Sequence, residues 1–135
     1  MDIDRLLLHL RIDGWCVVEG VIPNGDVERV RRSVLETVTR HRDPKALRDS
    51  GFVAGLINHD LSFAPYLADP RLIGIAERLF GPHVRVSMTS AIVNFPGNQR
   101  GGWHADWPYN QNNAGHIPAP YPDAPMHLTT LWMLS

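Results

Sequence analysis

Two residues draw attention for their chemistry: His104 and Asp106, one residue apart in Gly101-Gly102-Trp103-His104-Ala105-Asp106-Trp107-Pro108-Tyr109. In an extended chain, positions i and i+2 project from the same face, so this imidazole and carboxylate can reach one point together. A nitrogen and an oxygen donor side by side suit a borderline-hard divalent metal. With a second His they make the facial triad of non-haem Fe(II) sites, which leaves coordination positions open. The bare triplet decides little, because the 7 His and the Asp content of a 135-residue chain supply about 0.5 His-x-Asp matches by chance. The setting adds weight. After Arg100 the only charged residues are Asp106 and Asp123, and Asp106 lies among Trp103, Trp107 and Tyr109. A carboxylate in such company is costly unless it is paired or bound to a cation. Two readings meet these facts: a metal half-site, or a buried His–Asp hydrogen bond tying a loop to a sheet.

Other candidates carry less. His127 opens the apolar C-terminal stretch and could complete a three-ligand site. His116 sits in a Pro-rich loop and reads as solvated, while His9, His41, His59 and His83 lack a carboxylate at metal-ligand spacing and read as surface or capping residues. Ser87, Ser90 and Cys16 are in no nucleophile-elbow context, so nucleophilic hydrolysis has little support. Trp103, Trp107, Tyr109 and Trp132 suit either a pocket wall or a core.

The elements that must position these groups follow from periodicity. Residues 3–11 form a short helix ended near Gly14, and Trp15 to Glu19 a short strand between glycines. Pro23-Asn24-Gly25-Asp26 starts a helix running to about Arg42, with Val27, Val30, Val34 and Val38 on one stripe. Residues 43–59 read as loop with one short strand, and Leu61 to Leu67 as a helical turn. Asp69-Pro70 opens a second amphipathic helix, with Leu72, Ile73, Ala76, Leu79 and Phe80 as its apolar positions, ended at Gly81-Pro82. From His83 to Phe95 the period changes to two, which predicts a long strand. Pro96-Gly97-Asn98 turns the chain, residues 103–109 are extended, residues 110–125 form a loop with four prolines, and a buried strand follows from about Met126. Helices first and strands later predict α+β with an antiparallel sheet, and no glycine-rich phosphate loop supports a nucleotide-binding fold.

Composition bounds the function classes. The chain has 135 residues, 44% of them apolar, with 13 basic and 14 acidic side chains, enough for one domain and ordinary for a globular core. A net charge of −1 removes the electrostatic reason to expect a nucleic-acid or anionic-membrane partner. The single Cys16 can form no internal disulfide. The acidic start, Met1-Asp2-Ile3-Asp4-Arg5, lacks the basic region and the apolar run of ~7–15 residues of a signal peptide. No segment reaches the ~18 apolar residues of a membrane span. A cytoplasmic location is the expectation.

The motif and its surroundings resemble a known family. Asn94-Phe95-Pro96-Gly97, then Gly102-Trp103-His104-Ala105-Asp106-Trp107-Pro108-Tyr109, then a Pro-rich loop and Thr130-Leu131-Trp132, look like the phytanoyl-CoA dioxygenase family. Its members are Fe(II)- and 2-oxoglutarate-dependent oxygenases with a double-stranded β-helix (jelly-roll) core. The opening Gly14-Trp15-Cys16-Val17-Val18-Glu19-Gly20-Val21-Ile22, followed by an amphipathic helix, resembles the family's usual start, so the likeness spans nearly the whole chain. Trp-His-x-Asp-Trp-Pro-Tyr is far more specific than His-x-Asp alone, and it favours the metal reading.

The resemblance implies that His104 and Asp106 match the first two iron ligands, with no catalytic residue beyond the ligands. Trp132 matches a strand aromatic lining the 2-oxoglutarate pocket, and Asn94 falls in a pocket-side segment. The implied reaction consumes O2 and 2-oxoglutarate, releases succinate and CO2, and hydroxylates a small-molecule substrate. The absence of a basic patch speaks against a CoA ester. The chain also departs from the pattern. The family's distal His ligand and its 2-oxoglutarate-binding Arg lie in strands after that of Trp132, whereas Arg100 is the last Arg here and His127 is in the wrong strand. The expectation is therefore the N-terminal portion of such an enzyme, with low or no activity by itself. It would be a single, incomplete domain with a helical leader over about 1–82 and a strand-rich part over about 83–135, carrying the first strands of the jelly roll. Two alternatives stand beside it: a non-catalytic jelly-roll-like binding module, and a cupin-type metal enzyme with His127 as third ligand.

Overall fold

A computed structural model describes residues 2–42, 51–97, 106, 120 and 125–134. The chain divides into two compact units, residues 1–98 with 132–135 and residues 99–131.

In the first unit the helices form where the apolar period and the end signals agree. Helix α1 spans Ile3–Asp13; the Asp2 side chain accepts from the Asp4 N–H at its start, and Gly14 ends it in the left-handed conformation at φ 77°. Helix α2 spans Asn24–His41 and buries Val30, Val34, Thr37 and Val38 on one face. After it come strand β1 (Val53–Ala54), a 3-10 turn (Leu56–Asn58), the one-turn helix α3 (Ala64–Leu67), helix α4 (Pro70–Phe80) and strand β2 (Ser90–Ala91). The core gathers Val30, Val34 and Val38 of α2 with Val53, Leu56, Phe63 and Ala91, and Ile22, Tyr66, Val93 and Leu134 pack around them. The described residues thus combine helices with a two-stranded antiparallel sheet, a mixed α and β architecture.

Polar clasps fix the helices. Asp69 caps α4 by accepting from the Arg71 N–H at 2.8 Å, and its carboxylate also holds the Arg71 guanidinium at 2.7 and 2.9 Å. The same guanidinium donates to the Glu19 carbonyl at 2.8 Å, tying α4 to the segment after α1. Arg78 pairs with Asp4, and Ile3 lies against Gly74, where a Cβ would come within 2.6 Å of the Ile3 Cδ1. A side chain at position 74 would require the Ile3 methyl end to move aside.

The α4 stripe differs from its sequence reading by one position. Ile75 is the buried residue and Ile73 is exposed, because Leu72, Ile75, Ala76 and Leu79 keep the i, i+3, i+4, i+7 spacing of a single face.

The strands depart more. Val53 pairs with Ala91 and Ala54 with Ser90. Hydrogen bonds from Val93 N to Gly51 O (3.3 Å) and from Leu56 N to Thr89 O (3.0 Å) extend the contact on each side. Gly51, at φ 57°, has the Val93 Cβ and carbonyl oxygen 3.0 Å from where a Cβ would sit. Gly55, left-handed at φ 64°, then turns the chain into the 3-10 turn, so β1 is spent after two residues. The long strand expected over 83–95 is therefore realised in the ladder only at Ser90–Ala91. Its more apolar set faces outward: Val86, Met88 and Ile92 are 66, 66 and 62% exposed, while Ala91 is buried and Val93 packs on the core.

Neither the strand expected over 15–19 nor the one from Met126 joins a ladder among the described residues. The terminal stretch is also not buried as expected, with Met126, Leu131 and Met133 exposed and only Leu134 packed on the core. Among the described residues no helix is long and apolar enough to cross a membrane.

Candidate functional site

The second unit carries the metal motif. His104 lies outside the described residues; Asp106 is described, and its side chain is exposed. The cost of burying a carboxylate therefore does not apply to Asp106, and with it goes the argument that its aromatic neighbours demand a cation. The structure supplies a different feature in its place. The Thr129 hydroxyl lies 3.4 Å from Asp106 Oδ2 and 3.1 Å from His127 Nε2.

The polarity of this chain of contacts follows from valence. An ionised carboxylate only accepts, and a hydroxyl has one proton to give. Thr129 therefore donates to Asp106 Oδ2 and accepts from the Nε2–H of His127. His127 and Asp106 are 21 positions apart in number, and one hydroxyl joins them.

Sequence reasoning named Asp106 and His127 and missed Thr129. The signal was present: His127 and Thr129 stand at i and i+2, the spacing that puts two side chains of an extended segment on one side. A Thr in a β-branched run reads first as strand filler, and only its partner across 23 residues reveals a polar role.

The remaining sequence candidates belong to the first unit. Asn94 is exposed and shares the outward parity of Val86, Met88 and Ile92; Trp132 is half-buried, two residues before the core contact of Leu134. Cys16 is half-buried, and burial pushes its thiol up from the ordinary range, away from the thiolate a nucleophile requires. Tyr66 behaves similarly. Desolvation and its hydrogen bond to Asp26 (2.9 Å) raise the phenol, while the hydrogen bonds from Tyr66 and then Arg29 lower the Asp26 carboxyl. Those groups clasp α2 to α3 and have the marks of structure. A shallow depression on the outer face of α2, lined by Arg32, Leu35, Glu36, Thr39 and Arg40, holds none of the candidate ligands.

Among the described residues no three His, Cys, Asp or Glu side chains come together as a metal cage. The Asp106 carboxylate is exposed and accepts from the Thr129 hydroxyl at 3.4 Å, and a carboxylate oxygen is a donor type that a borderline-hard dication takes. No family model, curated protein or solved structure matches the chain.

Proposed function

We propose that the chain is part of an Fe(II)- and 2-oxoglutarate-dependent dioxygenase similar to the phytanoyl-CoA dioxygenase family, acting on a small molecule. The observation that carries the reading is the run Trp103-His104-Ala105-Asp106-Trp107-Pro108-Tyr109, with Asp106 solvent-accessible and oriented through Oδ2 by the Thr129 hydroxyl. In this reading His104 and Asp106 would hold the iron, and the resemblance assigns Trp132 and Asn94 to 2-oxoglutarate binding in a jelly-roll core. Bound iron and 2-oxoglutarate supply the activation of O2. The chain's own share is orientation: the Thr129 hydroxyl at Oδ2 favours one presentation of the Asp106 carboxylate to an incoming ion.

The test is direct metal binding. Titrating the 135-residue chain with Fe(II), or Co(II) as its surrogate, is expected to change the fluorescence of the motif tryptophans. His104→Ala and Asp106→Ala should each weaken the response at least tenfold. Binding indifferent to both substitutions removes the ligand assignment. Absence of any metal response would instead favour a non-catalytic binding module that keeps the motif as structure.

A second reading has an observation of its own. The Thr129 hydroxyl lies near both Asp106 Oδ2 and His127 Nε2, which favours a cupin-type site using His127 as third ligand. In that case His127→Ala abolishes metal binding, whereas the dioxygenase reading leaves it largely intact.

A further inference from the structure

His41 and His59 read in the sequence as unrelated surface residues, and the fold stacks them. Their ring centroids are 4.2 Å apart with planes inclined by 23°. His41 is the last residue of α2 and His59 the first residue after the 3-10 turn. Both side chains are exposed, so each ring can turn about its side-chain torsions without displacing packed neighbours.

Their backbones are far less free. Val38, one turn before His41, is 2% exposed, and the Arg42 N–H closes the helix on the Val38 carbonyl at 2.9 Å. The N–H groups of His59 and Asp60 both donate to the Leu56 carbonyl at 2.9 Å. Asp60 is 5% exposed; its Oδ1 accepts from the Ser33 hydroxyl at 3.0 Å and from the Ser62 N–H at 2.7 Å. Ser33 stands on α2 itself, so the helix that carries His41 also anchors the turn that carries His59. Two mobile imidazoles on two mutually fixed attachment points are a preorganised donor pair.

We propose that His41 and His59 form a surface site for a borderline transition-metal dication of the zinc class, which clips the end of α2 to the turn at His59. The donor set decides the class. Two imidazoles carry no charge and offer nitrogen lone pairs, which suit Zn(II), Ni(II) or Cu(II) and not the oxygen-seeking Ca(II) or Mg(II). Water completes the coordination, since no third His, Cys, Asp or Glu joins a metal-holding group among the described residues. Two cations flank the pair on its own helix. Arg42 is drawn over the Phe95 ring, 4.9 Å from its centroid, and Arg40 lines the outer face of α2. The pair shares no residue with the motif at Asp106, and the proposal is independent of the reading made for that motif.

The experiment uses the full chain in a His104→Ala/Asp106→Ala/His127→Ala background, which removes the ligands of the candidate site at Asp106 in both of its readings. Zn(II) added to chelator-stripped protein is expected to raise the melting temperature and to bind measurably by calorimetry. His41→Gln and His59→Gln should each weaken zinc affinity at least tenfold while leaving the circular dichroism spectrum and the zinc-free melting temperature near the parent values. His9→Gln, which removes a ring bonded to Asp13, should change nothing. The proposal is overturned if the parent shows no zinc-dependent shift, or if the double variant His41→Gln/His59→Gln binds zinc as the parent does.

Discussion

Helix α2 and the segment over 84–93 both carry a regular apolar period, and the fold treats them in opposite ways. The α2 stripe goes where its period points, with Val30, Val34 and Val38 all buried. In the segment over 84–93 the more apolar set, Val86, Met88 and Ile92, faces outward, and Thr89, Ala91 and Val93 take the inner side. The difference lies in where each element finds its backbone hydrogen bonds. A helix satisfies its own N–H and C=O groups, so only the side-chain stripe remains to be placed. A strand takes its bonds from a neighbour, and the register of that neighbour sets which face turns inward. Here the neighbour is β1, two residues long and pinned by Gly51 and Gly55, and where it pairs it turns Ala91 inward, with Thr89 and Val93 on the same side.

The largest expected effect lies on the helical side. Val38→Ala deletes two methyl groups from a nearly closed core site and should cost about 2 kcal/mol in chemical denaturation. A loss below about 0.5 kcal/mol would mean that α2 is not the wall of the core.

An intermediate effect is expected at the α4 cap. Asp69→Ala removes the N-cap acceptor and should cost about 1 kcal/mol. Asp69→Asn keeps a capping oxygen and removes the charge that Arg71 holds. The hydrogen bond from the Arg71 side chain, helped by that from its backbone N–H, keeps the Asp69 carboxyl below its ordinary range despite partial desolvation. A carboxyl lowered in the folded state contributes stability above its unfolded value of ~3.9, and that contribution is lost as pH falls through the folded value. The stability gap between wild type and Asp69→Asn should accordingly be full near neutrality and close under acid. A gap that persists at low pH would detach the effect from this charge.

The smallest effect tests the strand. Ile92→Thr replaces an outward residue with another β-branched one and should change stability by no more than about 0.5 kcal/mol. A loss as large as that at Val38 would show that the outward face is covered, and it would restore the face the alternation first suggests.

Much of the helical layer was legible residue by residue. Gly14, Asp69-Pro70 and Gly81 mark ends through local chemistry, and local chemistry does not depend on the rest of the fold. The one slip in α4, Ile73 for Ile75, arose because an apolar side chain on the flank of a stripe looks like part of it. The strands were legible as extended character and not as pairing. Trp15 and Val17 are exposed while Cys16 and Val18 are half-buried, so the alternation survives where no ladder forms among the described residues.

At the candidate site, motif and spacing singled out Asp106 as a candidate, whereas its exposure and its link to Thr129 were not readable. Surface accessibility and a partner 23 residues away depend on how distant segments meet. The His41–His59 stack is the same kind of fact, invisible at a spacing of 18 residues.

By itself, then, the amino-acid order determined which residues could carry chemistry, where helices begin and end, and which stripe of α2 is apolar, because these depend on groups a few positions apart. Only the tertiary structure decided which face of the strand turns inward, that the carboxylate of Asp106 is open to solvent, and which imidazoles and hydroxyls meet. Those outcomes require contacts between groups far apart in sequence, and the packing of the whole chain selects among the pairings that local preference leaves open.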